Sequence, residues 1–444
     1  MYVERFVLMA VCVPVSLALW LLVAFVGGFF ASPQRRRAKD GAAQLPPLRV
    51  GFVHPDFGIG GAENLVVNAM LALQRKGALV TMFTAHHDPT HCFEETRGDG
   101  PLARHVRVYG DWLPRTVAGR LYAACAWLRV LYVTLAIGLL HARDIDVFFV
   151  DQVSVAVPVL RFFGKPVLFY GHYPDMLLSA TSASLLKRAY RWPLNFLEEI
   201  TTAAADLVVV NSKFTRAVFE ATFPRVTTRE LGVLYPPVDV RGLEAFTASA
   251  PRNPTLFVSL NRFERKKNVA LAVHALAQLR ELVSRAQFAA VKLVIAGGYD
   301  PNNVENREHV RELEREVAKH ALQDHVEFRT SVPDRMKKEL LATAQAVLYT
   351  PSNEHFGIVP VEAMASGTPV VAVNSGGPLE SIVDGNTGFL CESTPEAFAA
   401  AMAALCGDSS RAAAIGAKGK RRARELFSLE TFADSLYALV ESLA

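Results

Sequence analysis

Cysteine is scarce in this 444-residue chain. There are five, an odd number, scattered at Cys12, Cys92, Cys125, Cys391 and Cys406. No two form a Cys-x-x-Cys pair, and neither they nor the histidines are read as a metal-ligand set. Reduced thiols in a cytosolic setting are expected. Excess charge is missing as well: the net value is +4 at pH 7, so nothing in the composition asks for nucleic acid. There is no Asn-x-Ser/Thr acceptor, because Pro254 spoils Asn253-Pro254-Thr255, which favours a globular part outside the secretory lumen. The dinucleotide fingerprint G-x-G-x-x-G is also lacking. Gly58-Ile59-Gly60-Gly61 does not supply it, and no acidic residue suitably follows the second strand, so a nicotinamide dehydrogenase is disfavoured.

What the chain has in abundance is apolar surface, with 51% hydrophobic residues. From Phe6 to Phe30 it runs 25 residues without a charge. As a helix this reaches about 37 Å, against about 30 Å of hydrocarbon. Arg35, Arg36, Arg37 and Lys39 come after it, so the positive-inside rule places everything after residue 31 on the cytosolic side. A cleaved signal peptide is the rival reading, with Phe29-Phe30-Ala31-Ser32 as the cleavage region. Its apolar core would be unusually long and its basic cluster on the wrong side. A second run, Leu121 to Leu140, is broken only by Arg129. Spanning a membrane there would separate the strand at 48–53 from IDVFFVDQ (145–152), which are expected to share one sheet. An interfacial or groove-lining helix is expected instead, with Trp112, Trp127 and Tyr132 near lipid headgroups; a buried core helix is the alternative.

The rest alternates strand-like apolar runs with helical stretches. LRVGFVH, ALVTMFT, DVFFVDQ, PVLFYGH and ADLVVVNS form one series; TLFVSLN, VKLVIAG, HVEFRT, AVLYTP and PVVAV form another. Continuous apolar strands separated by helices indicate parallel sheets covered on both faces. The class is therefore α/β, with two Rossmann-like, doubly wound domains. The expected layout is an anchor at 1–31, a linker at 32–46, a first domain at 47–245, a second at 251–424, and a final helix at 425–444 crossing back onto the first.

The densest signal is Glu354-His355-Phe356-Gly357-Ile358-Val359-Pro360-Val361-Glu362, two carboxylates around an exposed-looking Phe-Gly. Pro360 suits a first helical position and Ser366-Gly367 a helix end, with Pro369 opening the next strand. Glu354 then lies in a loop at a strand's carboxyl edge, where open α/β sheets bind ligands, and Glu362 lies on the following helix. The N–H groups of Gly357, Ile358 and Val359 would point at an anion there. Arg262 and Lys267 come after TLFVSLN as fixed positive charges for a diphosphate, with Lys266 as the adjacent alternative. Gly60 and Gly61, after the first strand, would let backbone approach the same group.

These pieces occur in the order RVGFVHPDFGIGGAENLVVNAM, FVSLNRFERKKNVALAVHAL, VKLVIAGGYD, HVEFRTSVP and NSGGPLESIVDGNTGFL. With the E-x7-E stretch, the chain resembles the retaining glycosyltransferases of the GT-B fold, the large family that includes glycogen and sucrose synthases. GHYPDMLL, WPLNFLEEITTAAADLVVVNSKFT, VLYPPVD and EHFGIVPVEAMASGTPVVAVNSGGP are similar to one branch of it, the dolichol-pathway mannosyltransferases, over roughly residues 47–440. The resemblance implies two domains facing a cleft, GDP-mannose as donor, and Man-GlcNAc2-diphosphodolichol as acceptor, with an α-1,3 and then an α-1,6 linkage. It implies no tightly bound cofactor and no metal, the basic groups replacing one. It also implies the cytosolic face of the endoplasmic reticulum membrane, with the bilayer and other early dolichol-pathway glycosyltransferases as partners. By the same resemblance Glu354 meets the transferred mannose, Glu362 the ribose of GDP, and His172 the sugar. Tyr173 and Asp175 are weaker acceptor-side choices, and Lys213, Glu198 and Glu199 are placed at the cleft. The alternatives are a membrane-associated relative such as a phosphatidylinositol mannosyltransferase, a soluble glucosyltransferase using UDP-glucose, or a non-catalytic GT-B scaffold.

Overall fold

The computed structural model describes residues 21–33, 46–178, 185–226, 231–246 and 251–444. Most of the expected anchor and linker therefore lies outside the described residues. The described end of the anchor is helical over 21–28, with Phe25 and Phe29 against the first core and Leu22, Val23, Val26 and Phe30 exposed.

The chain divides into two units. The first comprises residues 1–211, 215–234 and 432–444, and the second residues 212–214 and 235–431. The division expected at 245–251 falls instead at Leu234/Tyr235, so the proline-rich stretch from Tyr235 belongs to the second unit. The final helix begins at Leu429, and from Phe432 it groups with the first unit.

The first sheet has β1 (Arg49–His54), β2 (Leu79–Thr84), β3 (Val106–Val108), β4 (Val147–Asp151), β5 (Val167–Gly171), β6 (Leu207–Val210) and β7 (Gly232–Val233). All pair in parallel, in the order β3-β2-β1-β4-β5-β6-β7. β4 and β5 are buried along their whole length, which is why their sequences are apolar throughout rather than alternating. The edge strands β3 and β7 were not expected. At three and two residues they are too short to make an apolar run.

Helices of this unit include α1 (Gly61–Arg75), α2 (Tyr122–Leu140), α3 (Ala156–Phe162) and α4 (Leu185–Ala203). α2 is long and apolar enough to cross a membrane. In the fold it packs on β1, β2 and α3, with Val130, Val133 and Ile137 in the core. Arg129, the residue that interrupts its apolar run, is buried and lies 2.7 Å from Asp56 in the loop after β1. Trp127 is half-buried, packed against the core. Trp112 is exposed and stacks edge-on to Tyr132.

The second sheet has β8 (Leu256–Leu260), β9 (Lys292–Gly297), β10 (Val326–Thr330), β11 (Ala346–Tyr349), β12 (Val370–Val373) and β13 (Phe389–Cys391), all parallel, in the order β10-β9-β8-β11-β12-β13. Its helices include α5 (Ala270–Leu282), α6 (Val304–Lys319), α7 (Asp334–Thr343), α8 (Ile358–Ala365), α9 (Pro395–Leu405) and α10 (Ser409–Phe427). α5 and α9 cover one face through Leu276, Leu279, Phe398 and Met402. α7, α8 and α10 cover the other through Leu341, Met364 and Phe427.

Candidate functional site

In the second unit the carboxyl ends of β8 and β11, adjacent in the sheet, bring two loops together. The β8 loop carries the basic run. Arg265 turns outward to Glu308 and Glu312 on α6, bracing the loop. Arg262 and Lys266 both pair with Glu264, each at 3.2 Å, and both are largely exposed. Lys267 turns the other way. Its Nζ donates to Glu354 Oε2 at 2.5 Å, and its carbonyl accepts from Thr350 Oγ1 at 2.7 Å. Of the two adjacent lysines, Lys267 meets the signature carboxylate and Lys266 does not.

Glu354 is largely covered. Burial alone would raise its pKa, but the Lys267 charge and hydrogen bond, aided by His355 and Tyr349, hold it below the usual carboxylate range. It is therefore an ionised acceptor at neutral pH. Its loop rests on the NSGGP turn, a motif to which the sequence alone gave no role. Gly377 N–H donates to Glu354 O, and Asn353 N–H to Ser375 Oγ. A Cβ at Gly376, where φ is +65°, would lie 2.5 Å from Glu354 O, and one at Gly377 would lie 2.0 Å from Phe356 O. The paired glycines of NSGGP were the signal: they admit this close backbone approach.

Two expectations need correcting. Phe356 is not exposed. It is buried against Tyr235 and Phe427, an aromatic trio with centroids 5.2–5.8 Å apart, so only its backbone remains for a ligand. Helix α8 opens at Ile358, not at Pro360, with Gly357 in the left-handed region (φ +80°) as N-cap. Pro360 is the third helical residue, still within the turn whose N–H groups lack helical acceptors, so its ring costs no hydrogen bond. Glu362 is consequently the fifth helical residue rather than the third. It accepts from Lys337 of α7 at 2.8 Å. Burial would lower the Lys337 pKa, but the Glu362 and Asp334 charges raise it above the ordinary lysine value. Lys337 was missed because it lies 25 residues upstream of its partner on a separate helix. No side chain caps the α8 N-terminus, whose leading residues are Ile358 and Val359.

In the first unit the corresponding strand ends carry His54, Asp151 and His172. His54 Nδ1 and Asp151 Oδ2 are 2.9 Å apart, and His172 Nε2 lies 2.7 Å from Asp151 Oδ1. Gly60 precedes α1 in extended backbone, and a Cβ there would strike Glu63 Oε2 at 2.2 Å. At Gly61 a Cβ would meet nothing within 4 Å, so the fold itself does not demand glycine at that position. Glu198 accepts from Asp175 N–H at 2.7 Å and Met176 N–H at 3.2 Å, and burial pushes its carboxyl up to about 7. Asp175 also pairs with Arg191 at 2.8 Å, and Glu199 pairs with Arg225.

His87 and His91 do stand four apart, but both His87 ring nitrogens meet carbonyls, those of Phe57 and Thr96. Among the described residues one group has metal-ligand geometry, His274 with Glu316 and His320 on α5 and the end of α6. Its carboxylate also accepts from Lys319.

Two family models match the chain: Glycosyltransferase Family 4 over residues 59–241 and Glycosyl transferases group 1 over residues 243–422. Sucrose-phosphate synthase from Thermosynechococcus elongatus superposes with a TM-score of 0.68 at 22% identity, over 89% of this chain and 99% of that one. Anabaena HepE, solved with UDP and glucose, gives 0.64 at 21%, over 89% and 100%. The two family models, with two parallel Rossmann-like units, make the chain a glycosyltransferase of the GT-B fold. Relatives narrow this further. The alpha-1,3/1,6-mannosyltransferase ALG2 of Homo sapiens is 45% identical over 409 residues, covering 90% of this chain and 97% of its own. That of Rhizomucor pusillus is 42% identical over 426 residues, covering 89% and 92%. The chain belongs to the alpha-1,3/1,6-mannosyltransferase ALG2 family.

Proposed function

We propose that this enzyme transfers mannose from GDP-mannose to Man-GlcNAc2-diphosphodolichol, making an α-1,3 and then an α-1,6 linkage. The observation that carries the site assignment is the Lys267–Glu354 pair, a fixed cation and an ionised carboxylate held together where two parallel strands end. In this reading Lys267 and Arg262 bind the donor diphosphate, with the N–H groups of Gly357, Ile358 and Val359 at the α8 N-terminus adding partial positive charge. Gly60 and Gly61 are assigned to the same diphosphate, and His172 to the sugar.

Glu354 keeps one oxygen on Lys267 and accepts mannose hydroxyls with the other. Glu362, tethered by Lys337, accepts from the ribose. The anomeric C–O bond to phosphate breaks as the acceptor hydroxyl adds from the same face. Its proton passes to the departing phosphate oxygen, releasing GDP and retaining the anomeric configuration. A double displacement of the glycosidase kind needs a carboxylate pair flanking the bond about 5–5.5 Å apart. Glu354 and Glu362 are assigned to different parts of the donor, so they are not that pair. These groups act as a preorganised electrostatic frame, and the reading needs no metal.

The test is transfer from radiolabelled GDP-mannose to synthetic Man-GlcNAc2-diphosphophytanyl, with the product linkages mapped. Two sequential products, α-1,3 then α-1,6, are expected. Transfer from UDP-glucose alone, or none from either donor, would overturn the reading. The bilayer is the proposed platform, with both units on the cytosolic face of the endoplasmic reticulum. Protease added to sealed microsomes is expected to digest them without detergent, and full protection would reverse that orientation.

A further inference from the structure

Four titratable side chains of the first unit form a continuous line that the proposed chemistry leaves unused except at its outer end. His54 closes β1, Asp151 closes the neighbouring β4, and His172 comes directly after β5, so three adjacent parallel strands deliver them side by side. Glu63, on the first turn of α1, completes the line, its Oε1 3.5 Å from His54 Nε2. His54 and Asp151 are buried, with side chains 1% and 0% exposed. Glu63 is 19% exposed and His172 25%. Only the two ends reach solvent.

A buried carboxylate and imidazole are costly to desolvate, and apolar residues of similar volume would hold the core at least as well. Their arrangement is instead specific. Asp151 Oδ2 is engaged by His54, which leaves Oδ1 for His172. The Nε2–Oδ1 contact is close but falls short of an aligned hydrogen bond. Neighbouring rings narrow the space further. Phe57 stands edge-on to His54, and Tyr170 edge-on to His172 at 5.1 Å.

The charge states agree with the geometry. Burial would depress His54, but its hydrogen bond to Asp151 and the nearby Glu63 carboxylate raise it to about 9. Burial would raise Asp151, but His172 and His54 bring it down to about 2. Glu63 is likewise held below its ordinary value, against the pull of burial, by His54. The ionisable groups facing His54 are Asp151 and Glu63; those facing Asp151 are the two histidines and Tyr170. At neutral pH Asp151 is thus an ionised acceptor clamped by a cationic imidazole.

We infer that Asp151, locked by His54 and through it by Glu63, is the positioning group for His172. It commits the Nε2 edge of that ring to the protein and leaves the Nδ1 edge for the sugar. The inference rests on the assignment of His172 to the donor sugar. Asp151, His54 and Glu63 touch no substrate; they act through His172.

The test is a double-mutant cycle in the full-length enzyme with GDP-mannose and the phytanyl acceptor. Asp151→Asn is expected to lower kcat by about 10- to 100-fold, the range for a misplaced orienting group. The KM for GDP-mannose should change less than about threefold, since uniform binding is not what the group supplies. In a His172→Ala background the same substitution should cost almost nothing further, because a positioning residue has no effect once its client is gone. His54→Gln, which keeps a donor toward Asp151, should retain more activity than His54→Ala. Nitrogen NMR of the His172 ring provides a readout independent of turnover. The wild-type ring should carry hydrogen on Nε2, and Asp151→Asn should shift the balance toward Nδ1.

Full additivity of Asp151→Asn with His172→Ala, or an unchanged ring signal, would overturn the inference. Failure of the reading beneath it looks different. His172→Ala with full activity, or no transfer from GDP-mannose by the wild type, would remove the sugar assignment while the ring signal still reported on Asp151.

Discussion

Lys267→Ala is expected to lower mannose transfer by about 100- to 1,000-fold, the range for deleting a preorganised charge-stabilising group. Two losses combine in this substitution. The donor diphosphate loses a cation, and Glu354 loses the partner that holds it ionised. With Lys267 gone, burial becomes the dominant influence on that carboxyl and its pKa moves upward. Activity that requires the carboxylate is present above its pKa and lost below it, so the acid limb of the pH–rate profile should shift to higher pH in the variant. Arg262→Ala should cost less, about tenfold, because that guanidinium is 64% exposed and already shared with Glu264. Wild-type rates in both variants, with circular dichroism reporting intact folds, would remove the clamp from the mechanism.

The second large effect separates the two glutamates of the signature. Glu354→Gln keeps the volume but loses the charge that meets Lys267. It should depress kcat by about two orders of magnitude while free GDP binds almost normally. Glu362→Gln breaks the pair with Lys337 and the proposed ribose contact. It should weaken GDP and GDP-mannose together, by about 1–3 kcal/mol. Calorimetric titration of GDP into each variant decides the matter. Lost GDP affinity in Glu354→Gln with normal affinity in Glu362→Gln would exchange the two roles. Unchanged activity in both would remove the pair from the donor site.

The class of fold was legible because buried parallel strands leave continuous apolar runs. Every strand read from such a run is present, whereas β3, β7 and β13, at two or three residues each, left no pattern to read. The signature loop was legible in composition but not in orientation. A phenylalanine beside a glycine looks exposed in sequence, yet Tyr235 and Phe427, from 121 residues before it to 71 after, close over Phe356. Partners of this kind are set by topology rather than spacing. The same holds for Lys337 on Glu362 and for His54 and Asp151 behind His172, which chain order keeps far apart and adjacent strand ends bring together. The division between units was misplaced for a related reason. Prolines suggested a linker after Tyr235, but Val238 N–H donates to Phe427 O and fastens that stretch to the second unit.

The arginine at the centre of α2 has a consequence before the fold exists. As these nineteen residues leave the ribosome they present a segment long and apolar enough to cross a bilayer. Arg129 adds about 2.5–3.5 kcal/mol against that partition at a helix centre. Asp56, its partner in the finished protein, has by then already been synthesised, so pairing is available as soon as the helix reaches the sheet. Before folding the charge opposes insertion, and after it the buried guanidinium finds a half-exposed carboxylate in the loop after β1. Arg129→Leu is therefore expected to raise the fraction of newly made chain that resists carbonate extraction from microsomes, and an unchanged fraction would remove this role from the arginine.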